Sequence, residues 1–155
     1  MEAAARAGEL LRARGLTLAT AESLTGGQLA ATFTSVPGIS AVYVGGAVTY
    51  WTEFKQSLLG VSEEIVDTVG VVSAACAEAM ATGVRGLAGA TYALSTTGVA
   101  GPDPQEGKPV GTVFVGIAGP GGVRAVQLAL SGTRAEIQAQ TCAAAVDLLI
   151  DALGD

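Results

Sequence analysis

Short apolar runs alternate with segments of helical period along this chain, and that alternation restricts it to an α/β architecture. Helical spacing over 3–14 stops at Gly15, and 16–21 reads as a strand. Residues 26–35 read as a helix closed by Val36-Pro37-Gly38. A second strand is expected over 42–50, a short helix over 52–59, another helix capped by Ser62, and a long helix over 74–87 after Ser73. The third strand is 92–97. Strands at 111–118 and 123–130 flank Gly119-Pro120-Gly121-Gly122, a hairpin signal, and Ser131-Gly132-Thr133 caps a last helix running to about 153. The expectation is one domain over 1–155, built as a three-layer α/β/α sandwich on a mixed, mostly parallel sheet of about five strands.

Composition narrows the function classes. The net charge of −6 argues against a nucleic-acid partner, which needs a basic footprint. Half the residues are apolar and only 14% are charged, so part of the surface is expected to be covered by another copy in a homo-oligomer. No apolar run reaches the roughly 18 residues of a membrane span. The N-terminus has no basic leader, so a cytoplasmic address is the default expectation. With no histidine, and with Cys76 and Cys142 far apart in alanine-rich segments, no metal site and no cofactor are expected.

In open α/β sheets, ligands bind beyond the carboxyl ends of the strands. Three such ends carry candidate chemistry here: Ser23 after the first strand, Tyr50 after the second, and Thr97-Gly98 after the third. Ser23 lies in Ala21-Glu22-Ser23-Leu24-Thr25-Gly26-Gly27, where free N–H groups at a helix start could stabilise an oxyanion. Thr25 is better placed than Ser23 to cap that helix, which leaves Ser23 free to act as a nucleophile. Its base cannot be imidazole. The chain has two lysines, Lys55 and Lys108, and a lysine amine buried among apolar walls can reach a pKa of roughly 7–8. Trp51 and Phe54 give Lys55 such a setting, while Lys108 sits in the glycine- and proline-rich loop 98–110. Tyr50 could orient the lysine or donate a hydrogen bond, and Glu22 could be an orienting acceptor. Arg134, at the start of the last helix, together with the N–H groups there would suit a phosphate. Each of these residues also has an ordinary structural reading: cap, surface lysine, strand-end aromatic, solvated arginine. The dinucleotide-binding, Walker and Ser-x-x-Lys motifs are absent.

Several segments together resemble the CinA C-terminal domain family of nicotinamide-nucleotide amidohydrolases. They are Thr20-Ala-Glu-Ser-Leu-Thr-Gly-Gly27, Gly46-Ala-Val-Thr-Tyr50 with Lys55, Val72-Ser73, Thr97-Gly-Val-Ala-Gly-Pro-Asp103, Lys108-Pro-Val-Gly-Thr112 and Ser131-Gly-Thr-Arg134. The resemblance implies a fold related in topology to anticodon-binding domains, oligomerisation and a metal-free site. It also implies hydrolysis of nicotinamide mononucleotide (NMN) to nicotinate mononucleotide and ammonia, a step of pyridine-nucleotide recycling. Carried over by motif, Ser23 is the nucleophile, Lys55 its base and Tyr50 an assisting residue. Thr25, Gly26 and Gly27 supply the oxyanion site, and Thr97, Gly98 and Arg134 place the substrate. The chain differs from the family pattern at Leu24, Pro104-Gln105, Thr133 and Gln138. Two other readings stand beside this one: a non-catalytic nucleotide-binding or regulatory module, and an amidase for another amide.

Overall fold

Valine-rich runs and alanine-rich helical segments settle into a single sheet between two helical layers in the computed structural model, which describes residues 2–154. Residues 1 and 155 of the expected domain lie outside the described residues. In chain order the elements are α1 (Glu2–Ala13), β1 (Leu18–Glu22), α2 (Gln28–Thr34), β2 (Tyr43–Val48), α3 (Thr52–Leu59), α4 (Glu63–Thr68), α5 (Ala74–Ala88), β3 (Tyr92–Gly98), β4 (Thr112–Gly119), β5 (Gly122–Ala129) and α6 (Arg134–Ala152). A 3-10 turn at Ile39–Ala41, not anticipated from sequence, precedes β2.

The strand order is β2-β1-β3-β4-β5. β1 pairs in parallel with β2 and β3, and β4 is antiparallel to both β3 and β5. The sheet is mixed as expected, with two parallel and two antiparallel pairings and only β4 reversed. α1, α2 and α6 cover one face, while α5 covers the other, with α3 and α4 packed against it. Ser62 caps α4 as expected, Ser73 caps α5, and Thr133 with Glu136 forms a capping box on α6.

Alternation along the strands decides which residues reach which layer. Leu18 and Leu94 join the core under α1, α2 and α6, whereas Ala19, Ala21 and Ala93 face α5. Ser23 continues the odd-numbered series and therefore looks toward the α3–α5 layer. Small residues on this face let α5 approach closely: a Cβ on Gly116 would lie 2.6 Å from the Ala77 carbonyl oxygen. The same closeness joins α5 to α3, because a Cβ on Gly83 would lie 2.0 Å from the Leu59 carbonyl oxygen. Gly83→Ala is expected to push α3 outward and to destabilise the fold by about 1–3 kcal/mol, measured as a lower urea midpoint.

β2 is an edge strand, and Val44, Val48, Tyr50, Trp51 and Phe54 are exposed on and beside it. Among the described residues, no helix is long and apolar enough to cross a membrane.

Candidate active site

β1 ends at Glu22, and the chain stays beside β3 for one residue more, with the Ser23 N–H donating to the Thr96 carbonyl at 3.0 Å. This holds Ser23 at the carboxyl end of the parallel strands, on the face covered by α3 and α5. β2 stops at Val48, two residues before the expected end; the Thr49 N–H makes a last bond to the Glu22 carbonyl at 2.8 Å, and Thr49 and Tyr50 lie beyond the strand. Their carbonyls are thereby free to accept side-chain donors.

Lys55 is only 1% exposed. Its Nζ lies 2.9 Å from Ser23 Oγ, 2.6 Å from the Thr49 carbonyl oxygen and 3.2 Å from the Tyr50 carbonyl oxygen. Among the described residues no carboxylate forms an ion pair with it. Burial lowers its pKa below the ordinary lysine value, and the charge that Cys76 and Glu106 can carry opposes this in part. The three oxygens match the three N–H bonds of an ammonium, with Nζ donating to Ser23 Oγ, and they can also hold the neutral amine that burial favours. A neutral amine has two N–H bonds and one lone pair; the two carbonyls can take the hydrogens, which leaves the lone pair toward Ser23.

The turn after Ser23 differs from the sequence expectation. Helix α2 begins at Gln28, not at residue 26, because Gly26 (φ 55) and Gly27 (φ 106) adopt left-handed conformations. Thr25 does not cap the helix. The buried Glu22 carboxylate does so, accepting from the Gly27, Leu29 and Ala30 N–H groups at 3.2, 2.8 and 2.9 Å. The Thr25 hydroxyl donates to Glu22 at 2.6 Å and lies 2.8 Å from Thr96 Oγ1. The Gly26 N–H donates to the Ser23 carbonyl at 3.1 Å. The expected oxyanion donors at Gly26 and Gly27 are therefore committed to other acceptors, and Thr25, Gly26 and Gly27 do not line the cleft. Among the described residues, the N–H groups of Leu24 and Thr25 have no acceptor. Leu24 lines the cleft, and its carbonyl is held by Gln138 Nε2 at 2.8 Å; Gln138 in turn accepts from Gln28 at 3.0 Å.

Ser23, Lys55, Tyr50, Thr97, Gly98 and Arg134 line one cleft of about 290 Å³. The three strand ends share a rim. Arg134 donates to the Tyr50 hydroxyl at 2.9 Å and to the Gly101 carbonyl, bridging α6 to the second strand end and to the loop. The Thr97 hydroxyl donates to the Val71 carbonyl at 2.7 Å, so its hydrogen is used inside the wall. Gly98 leaves no room for a side chain: a Cβ there would sit 2.7 Å from the Thr112 carbonyl oxygen. Lys108, the rival lysine, donates instead to the carbonyls of Val69 and Val72. Sequence reasoning did not find the Glu22 cap or the two carbonyls on Lys55. The alternation of β1 was the available signal for Glu22, since it points residue 22 at α2.

The CinA C-terminal domain family matches residues 1–153. This chain belongs to that family. It is 53% identical over 140 residues to a CinA-like protein of Frankia casuarinae, a stretch covering 90% of this chain and 32% of that protein. It is 49% identical over 137 residues to a putative competence-damage inducible protein of Levilactobacillus brevis, covering 88% of this chain and 33% of that one. The chain thus spans about a third of the length of these relatives. A CinA superfamily protein from Klebsiella pneumoniae superposes with a TM-score of 0.95 at 37% identity, covering 98% of this chain and 96% of that one. The competence/damage inducible protein of Agrobacterium tumefaciens gives a TM-score of 0.94 at 37% identity, with 99% and 94% covered. Among CinA C-terminal domains the α/β sandwich is therefore shared along almost the whole described chain.

Proposed function

We propose that this CinA domain is a serine amidase that removes the amide nitrogen of nicotinamide mononucleotide. One observation carries the reading: a buried lysine with no carboxylate partner among the described residues, fixed by two main-chain carbonyls, 2.9 Å from a serine hydroxyl at the floor of a cleft. As Ser23 Oγ attacks the carboxamide carbon, its proton passes to neutral Lys55. The oxyanion lies against the unpaired N–H of Leu24, which lines the cleft beside Ser23. The carbon–nitrogen bond breaks, ammonia leaves with the proton from Lys55, and an ester to Ser23 remains. Water then attacks that ester, giving its proton to Lys55, which returns it to Ser23 Oγ as nicotinate mononucleotide departs. No metal or cofactor enters these steps.

The rest of the cleft supports a mononucleotide. Its volume lies near the lower end of the roughly 300–1,000 Å³ of ligand cavities, which suits one nucleotide rather than two. Arg134 places a guanidinium at its edge, where an anionic phosphate can be met. Tyr50, hydrogen-bonded to Arg134, positions that group and through its carbonyl helps to fix Lys55. A cytoplasmic address and a homo-oligomer accompany this reading.

The test is release of ammonia from NMN, with nicotinamide as the comparison substrate and mass spectrometry of the product. Release from NMN with little from nicotinamide is expected. A second reading, a binding module without turnover, is favoured by Gln138, which holds Leu24 and is therefore occupied where the family often has an arginine. NMN binding by calorimetry without any ammonia would establish that second reading in place of the first.

A further inference from the structure

The loop 101–110 forms one wall of the cleft, and its tip is a two-residue turn. Gln105 and Lys108 exchange main-chain hydrogen bonds at 3.1 and 2.9 Å, with Glu106 (φ 54) and Gly107 (φ 72) between them in left-handed conformations. Such a conformation is unfavourable for a residue with a side chain, so Glu106 needs compensating contacts. It has two. Its Oε2 accepts from the Val71 N–H at 3.1 Å and its Oε1 from the Val72 N–H at 2.9 Å. The carboxylate fills the space over Gly70 (φ 79), where a Cβ would lie 2.5 Å from Glu106 Oε1. Successive N–H groups in such a turn form a concavity suited to an anion.

The other side of the same segment is held too. Thr97 donates to the Val71 carbonyl at 2.7 Å, and Lys108 donates to the carbonyls of Val69 and Val72. Val71, Val72 and Gln105 all line the cleft. Ser73, the next residue, caps α5, the helix against which α3 and its Lys55 are packed.

We propose that Glu106 is a positioning residue that latches the 101–110 loop onto the Gly70–Val72 turn and so sets the wall against which substrate is held. The proposal rests on the amidase reading above. The negative charge of Glu106, itself paired with Lys108 at 3.9 Å, favours the protonated form of Lys55; the Cys76 thiol from α5 does so only when ionised, and Ser23 and the Thr49 and Tyr50 carbonyls complete the lysine's surroundings. The latch therefore has an electrostatic signature that a purely structural contact lacks.

Three measurements on the purified full chain test it. In Glu106→Gln, KM for NMN should rise on the order of tenfold while plateau kcat stays within about threefold, and the rising limb of the pH–rate profile should move to lower pH. Glu106→Asp keeps the charge but shortens the reach; KM should rise and the limb should stay. An unchanged KM in both variants, or a limb that does not move in Glu106→Gln, overturns the proposal. Amide hydrogen exchange is independent of activity: Val71 and Val72 should be protected in the wild type and lose protection in Glu106→Gln. If the wild type releases no ammonia while this protection pattern holds, the amidase reading fails and the latch stands. Rapid exchange of both amides in the wild type overturns the latch itself.

Discussion

Ser23→Ala is expected to lower ammonia release from NMN by on the order of 10³-fold or more, with the fold and NMN affinity retained. The size follows from chemistry. Without Oγ there is no covalent intermediate, and the remaining groups can only bind and polarise the amide. The retained fold follows from contacts: the side chain's hydrogen bond is to Lys55 Nζ, which keeps both carbonyl partners after the substitution. Steady-state assays with a calorimetric check of NMN binding decide the matter. A variant working at the wild-type rate would remove Ser23 from the mechanism.

Lys55→Met should cost a comparable factor and also erase the rising limb of the pH–rate profile. That limb is expected below the ordinary lysine pKa of about 10.4, because burial favours the neutral amine. A stability consequence follows from the same cause. With its folded pKa lowered, Lys55 binds fewer protons in the folded than in the unfolded chain across the window between the two values. Its contribution to stability therefore improves as pH rises through that window and is least favourable below it. Buried Cys76 and Cys142 act with the opposite sign: burial raises their pKa to about 11 and about 12, so their contribution is lost as pH climbs above the unfolded thiol value. Lys55 also lowers the Cys76 thiol pKa, so the comparison is read from neutral pH to about 8, where both thiols stay uncharged in either folded protein. Urea midpoints over that range should show wild type gaining on Lys55→Met as pH rises. A difference that stays constant would mean that Lys55 is not held neutral.

The layered architecture and the rim of three strand ends were legible because apolar periodicity and strand-end placement are local properties. Thr52–Leu59, the cap at Ser62 and the long helix after Ser73 were read correctly for the same reason. What escaped was decided by reach. Glu22 and Thr25 both carry oxygens that can cap α2, and only the direction of the residue 22 side chain from β1 selects the carboxylate. The Gly26 and Gly27 N–H groups looked available because nothing local shows that a side chain five residues back has claimed one of them. The carbonyls that fix Lys55 were invisible for a deeper reason, since every residue type has one. Glu106 was read as part of an irregular loop because its partners at 71 and 72 lie more than thirty positions away.

The cradle of Lys55 also bears on how such a domain can change over generations. Substituting Thr49 or Tyr50 alters a side chain and leaves the carbonyl in place, so the proton-transfer geometry is shielded from most single-codon changes. The far end of the cleft has no such shield: Arg134 and Gln138 contact their neighbours through side chains, and one substitution rewrites each. On the proposed amidase reading, single substitutions therefore reach the phosphate end of the cleft more readily than the carbonyl cradle of the lysine.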